Sequence, residues 1–314
     1  MNASSPGTWL ADLCASEGIP CVLGHARYRK ASHGGQAKHD RIDAHKIAVL
    51  LRGGMLPQAS GDPAAMRATR DLLRRRMHLM RHRAELLAHI QQTTSQYNRP
   101  AIGKQLAYKA NRAGVAERFL EPAVQQSIAV ALALIDTDER LRTTLELDLV
   151  QTAKTHEAQT FYRLRSIPGV GTILALVRLY EIHDMHRFPR VQEFVSSCRL
   201  VKGAKESAGK RYGTSGQKMG KAYLKWAFSE AAVLFLRNNP AGQKALARLG
   251  KNHGTGKAWT VLAHQWARAV YSRCKRDTAF DLDQFLQESW SRAGEPAASR
   301  AAEGISLTIT CWQP

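Results

Sequence analysis

Two long stretches of helical periodicity limit what this chain can fold into. In residues 62–95, DPAAMRATRDLLRRRMHLMRHRAELLAHIQQTTS, the residues Leu73, Met77, Met80, Ala84 and Leu87 recur at alternating spacings of four and three. That repeat lays one apolar seam along a helix, as in a coiled coil. Asp62 followed by Pro63 supplies its start, because proline at the first helical position loses only an N–H that has no partner there. The second stretch runs from Glu121 to about Arg165. Ile128, Leu132 and Ile135 share one face, and Leu141, Leu145 and Leu149 continue it. Two long helices joined by a loop, here 96–113, can cover each other's seams. The spacing therefore predicts an antiparallel coiled-coil arm.

The flanking segments have a different texture. Residues 8–17 read as a short helix with Trp9, Leu10, Leu13 and Cys14 on one face. The run IPCVLG, 19–24, is a candidate buried strand. After a basic loop, RIDAHKIAVLLRGG reads as a helix with Ile47, Leu50 and Leu51 inward, closed by Gly53 and Gly54. Helix, strand, loop and helix make a piece of an α/β domain, too small to be a whole one. Beyond the arm, helices are predicted in GKAYLKWAFSEAAVLFLR (220–237) and GKAWTVLAHQWARAVYSRCKR (256–276). The segment after about Ser291 reads as a frayed tail. The fold class is mainly α, divided as 1–60, 61–163, 164–290 and 291–314.

Charge points to the partner. Forty-six Lys and Arg stand against 26 Asp and Glu, a net +20 that suits a polyanion such as DNA or RNA. No apolar run approaches the roughly 20 residues of a membrane span. The five cysteines form no Cys-x-x-Cys pair, so neither a zinc site nor a disulfide framework is indicated. A cytoplasmic location is the expectation. Seven arginines crowd residues 67–83, with Asp71 the one acid before Arg83. Such a face, including Arg74, Arg75 and Arg76, is either solvated or in contact with phosphates.

Three constellations could carry chemistry. In IPGVG, 167–171, glycines between two helices suit the turn of a helix-hairpin-helix. Gly169 and Gly171 would let backbone N–H groups meet a phosphate, although an ordinary helix–helix turn reads the same way. The segment 200–226, LVKGAKESAGKRYGTSGQKMGKAYLKW, holds seven basic residues and the single acid Glu206. Among the basic residues are Lys202, Lys205, Lys210, Arg211, Lys218 and Lys221. It reads as a glycine-rich basic loop for a nucleic-acid backbone. Ser207 within it is a turn residue, a phosphate hydrogen-bond donor or a nucleophile. In KHDRIDAHK, Asp40 and Asp43 lie almost one turn apart on a predicted helix. They are either capping and first-turn acids or ligands of Mg²⁺.

Three of these segments together resemble one family. KHDRIDAHKIAVLLRGGMLPQA, LRSIPGVGTILALVRLYEIHDMHRFPRVQEFVSSCRLV and KESAGKRYGTSGQKMGKAYLKWAFSEAA are similar to the blocks of the DEDD-type insertion-sequence transposases, relatives of the Piv-like invertases. The resemblance spans about residues 8–285. It implies a ribonuclease H-like N-terminal domain with an Asp-Glu-Asp-Asp site for Mg²⁺, a coiled-coil linker and a C-terminal transposase domain with a nucleophilic serine. By position, Asp40 and Asp43 match the last two acids of the tetrad, and Ser207 matches the serine. The first Asp has no counterpart, and the Glu would fall near Asn2, as in a transposase shortened at its N-terminus. The resemblance also implies DNA, a structured bridging RNA and a homodimer or homotetramer as partners. Two other readings compete with it: a non-catalytic helix-hairpin-helix nucleic-acid-binding protein, and a helical interaction protein with incidental basic faces.

Overall fold

The computed structural model describes residues 8–24, 39–56, 63–102, 104–216, 220–237, 239–278, 280–282 and 284–285. The expected tail after Ser291 lies outside them. The chain is mainly helical and divides into two compact units, Met1–Thr69 and Arg70–Pro314.

In the first unit, α1 spans Thr8–Ser16 and α2 spans Asp40–Arg52; α3, Ala64–Gln96, begins there. An ion pair from Arg67 to Asp12 ties the start of α3 to α1. The helix over 8–16 forms as its periodicity predicts, but its apolar face is uncovered: Trp9 is 66% exposed, and Leu10 and Leu13 are exposed too. Of the three α2 residues expected inward, Leu50 is buried, Ile47 is half-buried and Leu51 is exposed. The run 19–24 is not a buried strand. Ile19 and Val22 are exposed, and the segment carries only a single bridge at Gly24. A lone apolar run cannot hold strand geometry without a neighbour to take its N–H and C=O groups. No strand lies among the described residues of this unit.

In the second unit, α3 continues and pairs with α4, Pro122–Arg165. Their ion pairs give the direction. Arg76 bonds Glu146 and Arg83 bonds Glu139, so seven residues forward on α3 match seven back on α4. The two helices run antiparallel. The buried stripe of α3 includes Leu73, Met77 and Ile90, but it does not pass through Ala84, which is exposed. Arg83 takes that level instead, bonding Glu139 and the Ala107 carbonyl (both 2.7 Å). The connector is more than a loop. Three short 3₁₀ turns bring Leu106, Val115 and Phe119 against Ile90, Ile128 and Ile135, closing the distal end with an apolar cluster. Buried Arg112 links that end to Asp136 and Glu139 and also donates to two connector carbonyls. Glu157 leaves helical geometry and kinks α4.

The remaining helices are α5 (Thr172–Ile182), α6 (Val191–Ser197), α7 (Ala222–Leu236), α8 (Pro240–His253) and α9 (Thr255–Arg276). α5 is apolar over most of its circumference and is buried from Leu174 to Ile182. Aromatic rings form two clusters in this unit: Phe194 meets Phe188, Phe228 and Tyr271, while Trp266 meets Phe235, Phe280 and Phe285. α8 went unread in the sequence, although Asn239 caps it, Pro240 starts it and Gly254 ends it. Among the described residues the one sheet is a two-stranded antiparallel hairpin, β1 (Lys202–Ser207) with β2 (Lys210–Gly216).

Candidate nucleic-acid interface

The segment expected to be a glycine-rich loop is this hairpin. Lys202 pairs with Gly216 at its open end, and Ser207 pairs with Lys210 at its tip. Only Ala208 and Gly209 lie between, both with positive φ (49° and 72°). A two-residue connection with both central residues left-handed is the type I′ turn, whose twist matches that of paired strands. Glycine takes that geometry freely; alanine does so at a cost of about 1–2 kcal/mol. A register irregularity between Lys205 and Glu206 sets Tyr212 outside the pairing, and its ring is 69% exposed. Ser207 occupies the last strand position before the turn and is exposed, as are Glu206 and Lys210. Directly paired residues project to the same face of a hairpin, so Ser207 and Lys210 share one face.

The root of the hairpin is fastened firmly. Lys221 N donates to Ser197 O (2.7 Å), and Arg199 Nε donates to Gly220 O (2.8 Å). Gly220 has φ +104°, and a Cβ there would fall 2.4 Å from Ser197 O, so only glycine fits. The Lys221 ammonium donates to the backbone carbonyl of Glu181 and lies 3.9 Å from its carboxylate. Glu181 is 1% exposed and takes a two-pronged ion pair from Arg74 (2.9 and 3.1 Å). Arg74 and Arg81 both approach the Tyr223 ring, and Arg81 also donates to its hydroxyl. One buried carboxylate on α5 therefore joins α3 to the start of α7. Nothing in the local sequence marked it, because Arg74 lies 107 residues from Glu181.

These contacts redistribute the expected phosphate ligands. Arg74 and Arg76 serve Glu181 and Glu146, and Lys221 is engaged at the hairpin root. Arg75 is exposed on α3. Gly169, with φ +79°, faces the backbone of α7: a Cβ there would lie 2.7 Å from Phe235 N and 2.8 Å from Ala231 O. Its glycine is required by that close approach. Gly171 differs, being exposed at the N-cap of α5 with open space around its Cα. Lys202, Lys205 and Arg211 belong to the hairpin strands, and Lys210 flanks the turn. Lys218 lies outside the described residues.

Asp40 and Asp43 sit in the first unit, on the first turn of α2. The cap is neither of them. His39 Nδ1 accepts from Arg41 N (3.2 Å), which makes Asp40 the first helical residue. Asp40 is exposed and Asp43 half-buried; both are favoured there by the helix dipole. No group of three His, Cys, Asp or Glu residues able to hold a metal occurs among the described residues. Mg²⁺ requires near-octahedral oxygen coordination. Two carboxylates one turn apart do not complete it, so this pair does not fit as a metal site by itself.

Comparison with known proteins decides the lineage. Residues 162–247 match the model of the IS116/IS110/IS902 transposase family, and residues 3–99 match a transposase model of the DEDD insertion-sequence type. The transposase for insertion sequence element IS1111A of Coxiella burnetii is 26% identical over 262 residues, covering 77% of this chain and 68% of the relative. The chain belongs to the DEDD-type insertion-sequence transposases. The match at 3–99 holds α1, α2 and α3 of this transposase; the match at 162–247 runs from the end of α4 through the hairpin into α8. Among the described residues no helix is long and apolar enough to cross a membrane.

Proposed function

We propose that this transposase cuts and rejoins DNA through Ser207, presented to the sugar–phosphate backbone at the tip of a basic hairpin. The observation that carries the reading is the placement of Ser207: exposed, beside Lys210 and one residue before a tight turn. The serine oxygen attacks a backbone phosphorus, and the bond to one bridging oxygen breaks. The proton lost by the serine balances the one gained by the released strand end. The phosphate remains on Ser207 as a diester, so attack by another strand's hydroxyl on the same phosphorus reseals DNA and frees the serine. Lys210 supplies positive charge to the phosphate oxygens as this occurs. Lys202, Lys205, Arg211, Gly171 and Arg75 are the remaining backbone contacts in this reading.

A structured RNA and a second or further copies of the chain complete the proposal. The net charge of +20 supports a polyanionic partner beyond the cleaved strand. Exposure of Ser207 supports a site finished by groups from another element or subunit. Mg²⁺ at Asp40 and Asp43 requires oxygen donors beyond these two, and the serine step above does not run through it.

Ser207→Ala tests the reading. Strand cleavage should fall by at least about 10³-fold while duplex affinity stays within about twofold. Cleavage that survives the substitution removes Ser207 from the chemistry and leaves the non-catalytic binding reading in its place.

A further inference from the structure

Between Glu230 and Asp277 the chain has nine Lys and Arg and no acid. The structure sorts these cations. Lys275 donates to the Phe188 and Pro189 carbonyls, and Arg273 bonds Gln284. Lys244, Arg248 and Lys251 on α8 are all exposed, and so is Lys257 on the first turn of α9. On α8 the three cations recur at i, i+4 and i+7, which places them within about 60° of one another around the helix. Ala245 and Leu249 occupy the buried side, where Gly242 packs against Phe235 and Leu236. α8 is thus two-faced: apolar against α7 and α9, cationic outward. The α3 arginines show the opposite disposition, since most of theirs meet carboxylates or a ring within the fold.

We infer that the Lys244–Arg248–Lys251 face of α8 docks the sugar–phosphate backbone of duplex DNA. The choice of DNA rests on the strand-transfer reading above; the face itself rests on exposure, spacing and the absence of neighbouring acids in sequence. Its three charges span about 10 Å of helix. Duplex DNA presents a phosphate roughly every 1.7 Å of its axis, a density that three cations over that length can meet. The location suits a flanking contact. α7 is 15 residues long, so α8 starts about 22 Å from the hairpin root, or about six base pairs along a duplex. Ser207 would engage the strand to be cut while α8 holds the duplex beside it.

The test replaces Lys244, Arg248 and Lys251 together with Gln in the full chain. Binding is read by fluorescence anisotropy on a labelled duplex of about 30 base pairs of arbitrary sequence, from about 50 to 200 mM salt. A matched control replaces the exposed Arg118, Arg140 and Lys154 with Gln, removing the same charge elsewhere. The α8 variant should bind about 10- to 100-fold more weakly at low salt. Its slope of log affinity against log salt should be shallower by about two to three. An unchanged slope, or an equal loss in the control, overturns the inference. A loss confined to a labelled RNA hairpin, with the duplex unaffected, overturns the assignment to DNA. Unaltered melting confirms that the exposed substitutions spare the fold. The outcome is independent of Ser207: if Ser207→Ala leaves cleavage intact, the hairpin reading fails while the α8 result stands.

Discussion

Arg178 shows how much a single residue can conflict with its surroundings. It is fully buried on α5, its guanidinium lies 4.7 Å from the Phe228 ring centre, and its three nitrogens have no hydrogen-bond partner among the described residues. Burial lowers its pKa to about 10, against a weaker opposing influence from Cys274 and Cys198. The same burial pushes the Cys198 thiol up to about 12, which leaves it a poor nucleophile. A buried cation without a counter-charge costs stability, and replacing such groups by apolar ones of similar volume often gains about 1–4 kcal/mol. Arg178→Met should therefore raise the melting temperature in thermal unfolding. A lowered melting temperature would show that the guanidinium has compensation, from internal water or a bound anion, which its protein contacts do not supply.

Among elements, the antiparallel pair of α3 and α4 depends on acids as much as on its seam. Arg112 chiefly, with Arg83, draws the Glu139 carboxylate below the usual glutamate range, against the opposing effect of its partial burial. The folded form binds this proton more weakly than the unfolded chain does. The resulting stability is present above the ordinary range and is lost as pH falls through the depressed value. Helicity should hold from neutral to about pH 5 and decline below about pH 4. Arg112→Met should remove about 3 kcal/mol at neutral pH, by leaving carboxylates without their partner, and should flatten the acid limb. Circular dichroism of both proteins against pH checks this; identical acid limbs would contradict it. The long helices were legible because a 3–4 apolar repeat has a direct geometric meaning. The level of Arg83 was not, because its partners lie far along the chain. The hairpin escaped reading for a different reason. KGAKES and KRYGTSG carry no apolar alternation, and Ala-Gly is a weaker type I′ signal than Asn-Gly. α8 could have been found from its Asn-Pro start and glycine end.

For the whole molecule, family membership and mechanism come from different observations. The matches span the first helices and the segment from the end of α4 into α8, which are the regions where sequence blocks carried the resemblance. The geometry then divides residues that composition alone had pooled. Most arginines of α3 hold the fold together, whereas Lys210 at the hairpin turn and the cations Lys244, Arg248 and Lys251 of α8 are exposed. Asp40 and Asp43 remain two acids on one helical turn, and a metal there awaits donors beyond them. The serine step can be read directly on the chain. Trypsin cuts after Lys205 and Lys210, releasing residues 206–210 as a short peptide that contains Ser207 and no other hydroxyl side chain. The covalent complex formed on a nicked duplex that cannot reseal should be digested with nuclease and trypsin and analysed by mass spectrometry. A nucleotide phosphate on that peptide at Ser207 is the expected result; cleavage proceeding with the peptide unmodified, or with the nucleotide attached elsewhere, would contradict the serine step.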